Sequence, residues 1–205
     1  MNEPGDQPAP LFYLGGTIHG TVERYHQSLD DTVVNALRQA VEQAPWMDAP
    51  NQVNLITLIR ILNQNSPIEQ MYAGPAFVFP DVRKSRTAQA IRITRANIGL
   101  LSDHFSDYCD DVDHGQPFFA VVQNQAAVAV CCSARQTSAA AEASLRTAKA
   151  FRGKGYAAAA AAAWAAEVQN EGRIALYSTS WNNLSSQAVA RKLHLRQYGV
   201  DLHFR

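Results

Sequence analysis

From Ser28 the run SLDDTVVNALRQAVEQA places Val33, Val34, Leu37 and Val41 on one face of a helix. Asp30 and Asp31 stand at its start, where carboxylates suit the positive end of the helix dipole, and Pro45 closes it. A second helix is expected over 51–65: Val53, Leu55, Ile56, Leu58, Ile59, Ile61 and Leu62 are apolar on most sides, and Pro67 forces a stop. Ahead of both, Leu11 to Leu14 is a short apolar stretch that either docks or forms a strand. After them, GPAFVFP is a strand candidate flanked by prolines, and the basic polar link RKSRTAQ marks a lobe boundary. The expected organisation is a helix-rich N-terminal lobe, residues 1–86, followed by a second lobe, residues 87–205.

In the second lobe Ile91 to Thr94 reads as a strand, and ANIGLLSDHFSDYC as an amphipathic helix with Ile98, Leu101, Phe105 and Tyr108 on one face. Pro117 to Gln123 and Ala126 to Arg135, rich in Val, Phe and Cys, form a hairpin across a tight turn at Asn124-Gln125. Glu142 to Thr147 is the next strand, and the alanine-rich run from Gly155 to about Asn170 has the highest helix propensity in the chain. Strand, helix and strand follow at Ile174 to Thr179, Ser185 to Leu193 and Tyr198 to Phe204. The order β, α, β, β, β, α, β, α, β defines a mixed α/β lobe.

Composition narrows the function classes. With 205 residues, 47% hydrophobic and 18% charged, the chain can build a core and is neither disordered nor a long coiled coil. Eighteen basic residues balance eighteen acidic ones, so no global field draws the protein to nucleic acid or an anionic membrane. No run approaches the ~20 apolar residues of a membrane span, and MNEPGDQPAP is acidic where a signal peptide is basic; the expectation is a cytoplasmic protein. Cys131 and Cys132 are adjacent in an apolar run and read as reduced core residues; the six histidines are scattered and no CxxC pair occurs, so no metal site is expected.

The candidate chemistry lies where the strand EASLRT passes through AKA into the turn FRGKGYA and straight into a helix. Gly153 and Gly155 permit a tight path and close approach by an anion, and the following helix offers unpaired N–H groups at its positive end. Charge is distributed accordingly: Arg146 to Arg205 holds nine basic and three acidic residues, whereas Asn97 to Arg135 holds one basic and five acidic. A phosphate-bearing cofactor is expected at the turn. The GxxxxGK[ST] spacing of a nucleotide-hydrolysing loop is missing. The dinucleotide fingerprint is met only loosely, with Ala158 as third small residue and Arg173 where the ribose-binding acid belongs.

The turn Arg152-Gly153-Lys154-Gly155-Tyr156-Ala157 resembles the [RQ]-x-x-G-x-[GA] signature of the GNAT superfamily of N-acetyltransferases. The strand IALYSTSW, then Asn182-Asn183-Leu184-Ser185-Ser186 and the helix QAVARKLHL, resembles the family's second cofactor motif; the likeness covers residues 87–205. It implies a GNAT-like mixed, mostly antiparallel central sheet flanked by helices. It also implies acetyl-CoA as cosubstrate without a metal, a small-molecule or peptide amine as acceptor, and allows a homodimer. Carried over by residue, it implies that backbone groups of Leu145, Arg146 and Thr147 pair with the pantetheine arm. The pyrophosphate would sit on N–H groups from Arg152 through Gly153, Lys154, Gly155 and Tyr156 to Ala157. Asn183 and Ser186 would complete the site from the far side of two splayed parallel strands. The implied reaction is direct attack of a neutral amine on the thioester, with the oxyanion held by a strand N–H near Thr147.

Glu142, the only carboxylate between Asp113 and Glu167, is the candidate base; its alternative role is a surface charge or a partner for Arg135 or Arg146. Many relatives carry a tyrosine acid seven positions after the motif Asn, where this chain has Ala190, and His194 stands at the usual glycine. Tyr177, Ser178, Ser180 and Tyr198 are open as replacements. That departure motivates the alternative of a non-catalytic acyl-CoA-binding or sensing module. The seven alanines before Trp164 read as a helix packed closely on the sheet, and Trp46, Trp164 and Trp181 as core or interface anchors. Asp103, Asp107, Asp110, Asp111 and Asp113 read as a solvated face that, beside an acceptor site, would attract a cationic amine.

Overall fold

The computed structural model describes residues 9–43, 55–64, 67–83 and 89–205. Pro45, Trp46, both ends of the expected second helix and most of the RKSRTAQ link lie outside the described residues. In chain order the elements are β1 (Phe12–Thr17), β2 (Gly20–Tyr25), α1 (Asp31–Glu42), α2 (Leu55–Asn63), β3 (Met71–Val78), β4 (Ala90–Arg92), β5 (Phe119–Gln123), β6 (Ala126–Gln136), β7 (Ala140–Thr147), α3 (Tyr156–Asn170), β8 (Ile174–Ser178), α4 (Leu184–Lys192) and β9 (Arg196–Phe204). They fall into two compact units, the first drawn from residues up to Ala76, Thr179–Asn182 and Gln197–Arg205, the second from Phe77–Ser178 and Asn183–Arg196.

In the first unit β1 pairs antiparallel with β2 on one side and with β9 on the other, Phe12 opposite Phe204 and Thr17 opposite Gly199. Strand alternation turns Phe12, Leu14, Leu202 and Phe204 to one face, where they meet Val33, Leu37 and Val41 of α1 and Leu58 and Leu62 of α2. Helix α1 starts where its sequence says it should: the Asp30 side chain accepts from the Val33 N–H at 2.8 Å. Strand β2 has no counterpart among the expected elements, because GTVERY is mostly exposed and carries no apolar alternation. From Gln197 onward β9, expected in the second lobe, belongs to this unit.

In the second unit β4, β5, β6 and β7 pair antiparallel in turn, and β7 pairs with β8 in parallel. With helices against it, this is the expected mixed, mostly antiparallel sheet. The β5–β6 hairpin turns at Asn124 and Gln125, both left-handed (φ 49° and 64°), the geometry a two-residue turn needs to match strand twist. Strand β6 is buried on both faces, which accounts for its unbroken apolar run. Val128, Ala129 and Cys131 join the core beneath α3, while Ala127, Val130 and Cys132 join a second core. The alanines of α3 let it lie close to the sheet, and Trp164, fully buried, donates from Nε1 to Ser133 Oγ at 3.1 Å. All three cysteines are free, and burial pushes the Cys132 thiol up to about 12 and that of Cys131 well above its ordinary value.

The helix expected for ANIGLLSDHFSDYC is instead two 3₁₀ turns, Arg95–Leu101 and Ser106–Tyr108. Thr94 Oγ1 accepts from the Ala96 N–H at 3.3 Å, Asn97 Oδ1 accepts from the Thr94 N–H at 2.8 Å, and Asn97 itself leaves helical geometry (φ −128°, ψ 20°). Local side-chain bonds to the backbone compete with the α-helical ladder here and win. The apolar face still turns inward, with Leu101 and Phe105 buried. Among the described residues no helix is long and apolar enough to cross a membrane.

Candidate functional site

Strands β7 and β8 pair only from Ala140 opposite Ile174 to Glu142 opposite Leu176. Strand β7 then continues to Thr147, still paired with β6 at Ala129. Past its end come a 3₁₀ turn, Lys149–Phe151, and the glycine turn that opens α3. Gly153 (φ 78°) and Gly155 (φ 84°) both sit in the left-handed region, where a side chain is strained. Gly155 is the N-cap of α3 and has no side chain to cap it, so the first-turn N–H groups lack a side-chain partner. Facing them is α4, whose N-cap Asn183 accepts through Oδ1 from the Ser186 N–H at 3.1 Å and from Ser185 Oγ at 2.8 Å.

These pieces enclose a cavity of about 930 Å³, within the range of small-molecule and cofactor pockets. Strand β7 lines it with Leu145, Arg146 and Thr147, the turn with Arg152, Gly153, Gly155, Tyr156 and Ala157, and α4 with Asn183 and Ser186. Every expected cofactor residue is on this lining except Lys154, whose ammonium sits 5.1 Å from the Phe151 ring centroid. Among lining residues not expected at the cofactor site are His104, Phe151 and the cations Lys149 and Lys192, together with Asp103, expected in the acidic cluster, and Phe105, expected on an apolar helix face. Lys192 was visible only as one of two basic residues ending α4; its place beside the turn is a product of folding. A Cβ built on Gly155 would lie 2.6 Å from its Nζ.

Glu142 is not on the lining. Alternation along β7 puts Ala141, Ala143 and Leu145 toward the α3 core, and Glu142 falls at the intervening position. Its carboxylate, 20% exposed, accepts from Ser178 Oγ and lies 3.6 Å from Arg135 Nε. The open positions for an acid are dispersed. Tyr177 is buried on β8 with its hydroxyl 2.6 Å from Ser186 Oγ, and Ala190 is buried in the same core. Ser178 donates to Glu142, while Ser180, Tyr198 and Trp181 belong to the first unit. Of the acidic cluster, Asp103 lines the cavity, Asp107 pairs with Arg146, and Asp113 pairs with Arg95 at 2.8 Å. The Arg146 guanidinium also lies over the rings of Tyr108 (5.1 Å) and Phe105 (5.6 Å).

The second unit is thus an α/β domain in which a parallel strand pair opens beside a glycine turn, with the N-terminal turns of α3 and α4 both on the cavity lining. A family profile, GNAT acetyltransferase, matches residues 22–198, and the chain belongs to this family. The match begins at residue 22 and so takes in a segment that the sequence resemblance, beginning at 87, did not reach. Among solved structures, a GNAT-family protein from Novosphingobium aromaticivorans DSM 12444 is 14% identical over 67% of this chain and 65% of its own, with a TM-score of 0.55. A GCN5-related N-acetyltransferase-like protein from Streptococcus suis 89/1591 is 15% identical over 73% of this chain and 68% of its own, with a TM-score of 0.54. The chain therefore spans just under two thirds of the first and slightly more of the second. No curated protein matches the chain.

Proposed function

We propose that the chain is an acyl-CoA-dependent N-acetyltransferase that moves an acetyl group from acetyl-CoA to a small-molecule or peptide amine within a ternary complex. The observation that carries this reading is the cavity itself, in which a strand edge, a left-handed glycine turn and two helix N-termini converge. The residues present fit the cosubstrate. Unpartnered N–H groups at the start of α3 suit a pyrophosphate, and the space above Gly153 is open. The free side of β7 from Ala143 onward offers backbone groups to the amides of a pantetheine arm, in the manner of an added strand.

In this reading the amine nitrogen attacks the thioester carbonyl carbon, a backbone N–H near Thr147 stabilises the oxyanion, and the carbon–sulfur bond breaks as the amide forms. Glu142 takes, through water, the proton the nitrogen gives up, because it stands off the lining, three residues before Leu145 on β7. The thiolate leaves without a tyrosine at position 190 to protonate it. That position, a buried alanine, favours the second reading, a non-catalytic acyl-CoA-binding or sensing module.

Titration calorimetry with acetyl-CoA, CoA and ATP tests the site without knowledge of the acceptor. Saturable binding of acetyl-CoA and CoA but not ATP supports the proposal; no binding removes it. Tight binding with no turnover across a panel of amines selects the sensing module over the enzyme.

A further inference from the structure

We infer that Ser178 and Arg135 are positioning residues that hold the Glu142 carboxylate for proton uptake, each by a separate device in the sheet. The inference rests on the acetyltransferase reading, in which Glu142 is the base, and adds the two groups through which that base is aimed. Backbone pairing of β7 with β8 stops at Glu142 opposite Leu176. Ser178 stands two residues further along β8, on the same face as Leu176. Its Oγ donates to Glu142 Oε1 across the point where the strands part. A side-chain bond thus takes over where the backbone ladder ends, and it anchors the carboxylate beside the open strand edge that begins at Ala143.

On the other side of β7, strand β6 carries a bulge. Ser133 pairs with Ala143, but Arg135 pairs with Glu142, so Ala134 is the extra residue. In unbroken register Ala134 would oppose Glu142, and Arg135 would oppose Ala141, which is buried in the α3 core. The bulge turns the guanidinium instead to the face of Glu142, where Nε lies 3.6 Å from Oε2. It thereby supplies a counter-charge to a carboxylate that is only 20% exposed. The two partners divide the work. Ser178 occupies one of the about four lone-pair positions of the carboxylate, whereas Arg135, beyond hydrogen-bond reach, balances the charge without occupying another. Lone pairs are left for the water that carries the amine proton, while orientation and charge are already fixed.

The test follows CoA release from acetyl-CoA by the whole chain with a panel of amines, beside calorimetry with acetyl-CoA. With an amine that wild type turns over, Ser178→Ala is expected to lower kcat about tenfold, within the ~10²–10⁴-fold that a placed base contributes. KM for the amine and acetyl-CoA affinity stay unchanged. Ser178→Thr, which keeps the hydroxyl, restores most of the rate; Arg135→Gln lowers kcat in the same way, and Arg135→Lys restores part of it. In the Glu142→Gln background neither substitution lowers the rate further, because their effect passes through the carboxylate. Full kcat in Ser178→Ala or in Arg135→Gln overturns the inference. So does a loss that threonine does not restore, that appears in acetyl-CoA affinity, or that adds undiminished to Glu142→Gln, each of which marks a packing role. An unaltered rate in Glu142→Gln removes the base and this inference with it, while the acetyl transfer itself stands. Wild type that turns over no amine ends both readings together.

Discussion

Replacing Gly155 by alanine probes the turn most directly, and Gly153→Ala supplies its internal reference. Both glycines are left-handed, at φ 84° and 78°. An L side chain in that region costs about 1–2 kcal/mol. Stiffening of the unfolded chain offsets ~0.4–1 kcal/mol of this, leaving a net loss of about 0.8 kcal/mol from the middle of each range. For a chain of this length that lowers Tm by about 2–3 °C. The positions differ in what a new Cβ meets: nothing within 4 Å at Gly153, but the flexible end of Lys192 at 2.6 Å at Gly155. The ammonium can swing away cheaply, so Tm should fall by similar amounts in the two variants, read by thermal unfolding followed by circular dichroism. Gly155→Ala with an unchanged Tm would show that the turn is not left-handed, and the cradle built on it would fall. The bulkier Gly155→Val extends the test to function: a folded variant that keeps full acetyl-CoA affinity in calorimetry refutes the placement of the pyrophosphate at this turn.

Glu142→Gln should lower turnover near neutral pH while leaving acetyl-CoA affinity nearly intact; an unaltered rate and pH profile would remove Glu142 as the base. Trp164→Phe deletes the Nε1 donor to buried Ser133 and should cost about 1–3 kcal/mol in urea unfolding, where a cost near zero would mean that water replaces the bond. Burial raises Cys132 and Tyr25 to about 12 from ordinary values of 9.0 and 10.0, so the folded chain holds protons that the unfolded chain releases. Stability from these groups is complete below pH 9 and is lost as pH rises toward 12; a urea midpoint that does not fall between pH 8 and pH 11 contradicts this sign.

Legibility in the sequence followed the strength of the local signal. The α1 face, the Asn124-Gln125 hairpin and the α3 start were readable because periodicity, turn chemistry and glycine each act within a few residues. The segment 95–108 was misread because its apolar spacing is helical in period, while Thr94 and Asn97 redirect the backbone through bonds that spacing does not record. Strand β2 was missed because an edge with mostly exposed residues has no alternation to detect. On the cavity lining, Leu145, Arg146, Thr147, Arg152, Gly153, Gly155, Tyr156 and Ala157 were legible on one stretch of sequence, and so were Asn183 and Ser186 through their motif. Lys192, His104 and Phe105 were not, since what places them on the lining is the approach of elements far apart in the chain. Glu142 is off the lining while Arg146, of the same strand parity, is on it, because the cavity begins beyond the point where β8 stops pairing with β7, which the sequence does not record.

Helix α3 has a further consequence. A cylinder whose first turns are almost all alanine has only shallow ridges, so Ala157 to Ala163, though mostly buried, offer little resistance to spinning about the axis or sliding along it. Its azimuth is indexed further along, where Trp164 is keyed to Ser133 on β6 and Val168 is seated in the same core. The direction in which the first N–H groups point is therefore set well along the helix, where the Trp164 indole is joined by the Gln169 amide, bonded to Val82 and Pro80, and by the Glu167 pair with Arg92. Smooth packing and aimed amides would then be separable properties of one helix, the first distributed over the alanines and the second concentrated in the stretch from Trp164 to Gln169.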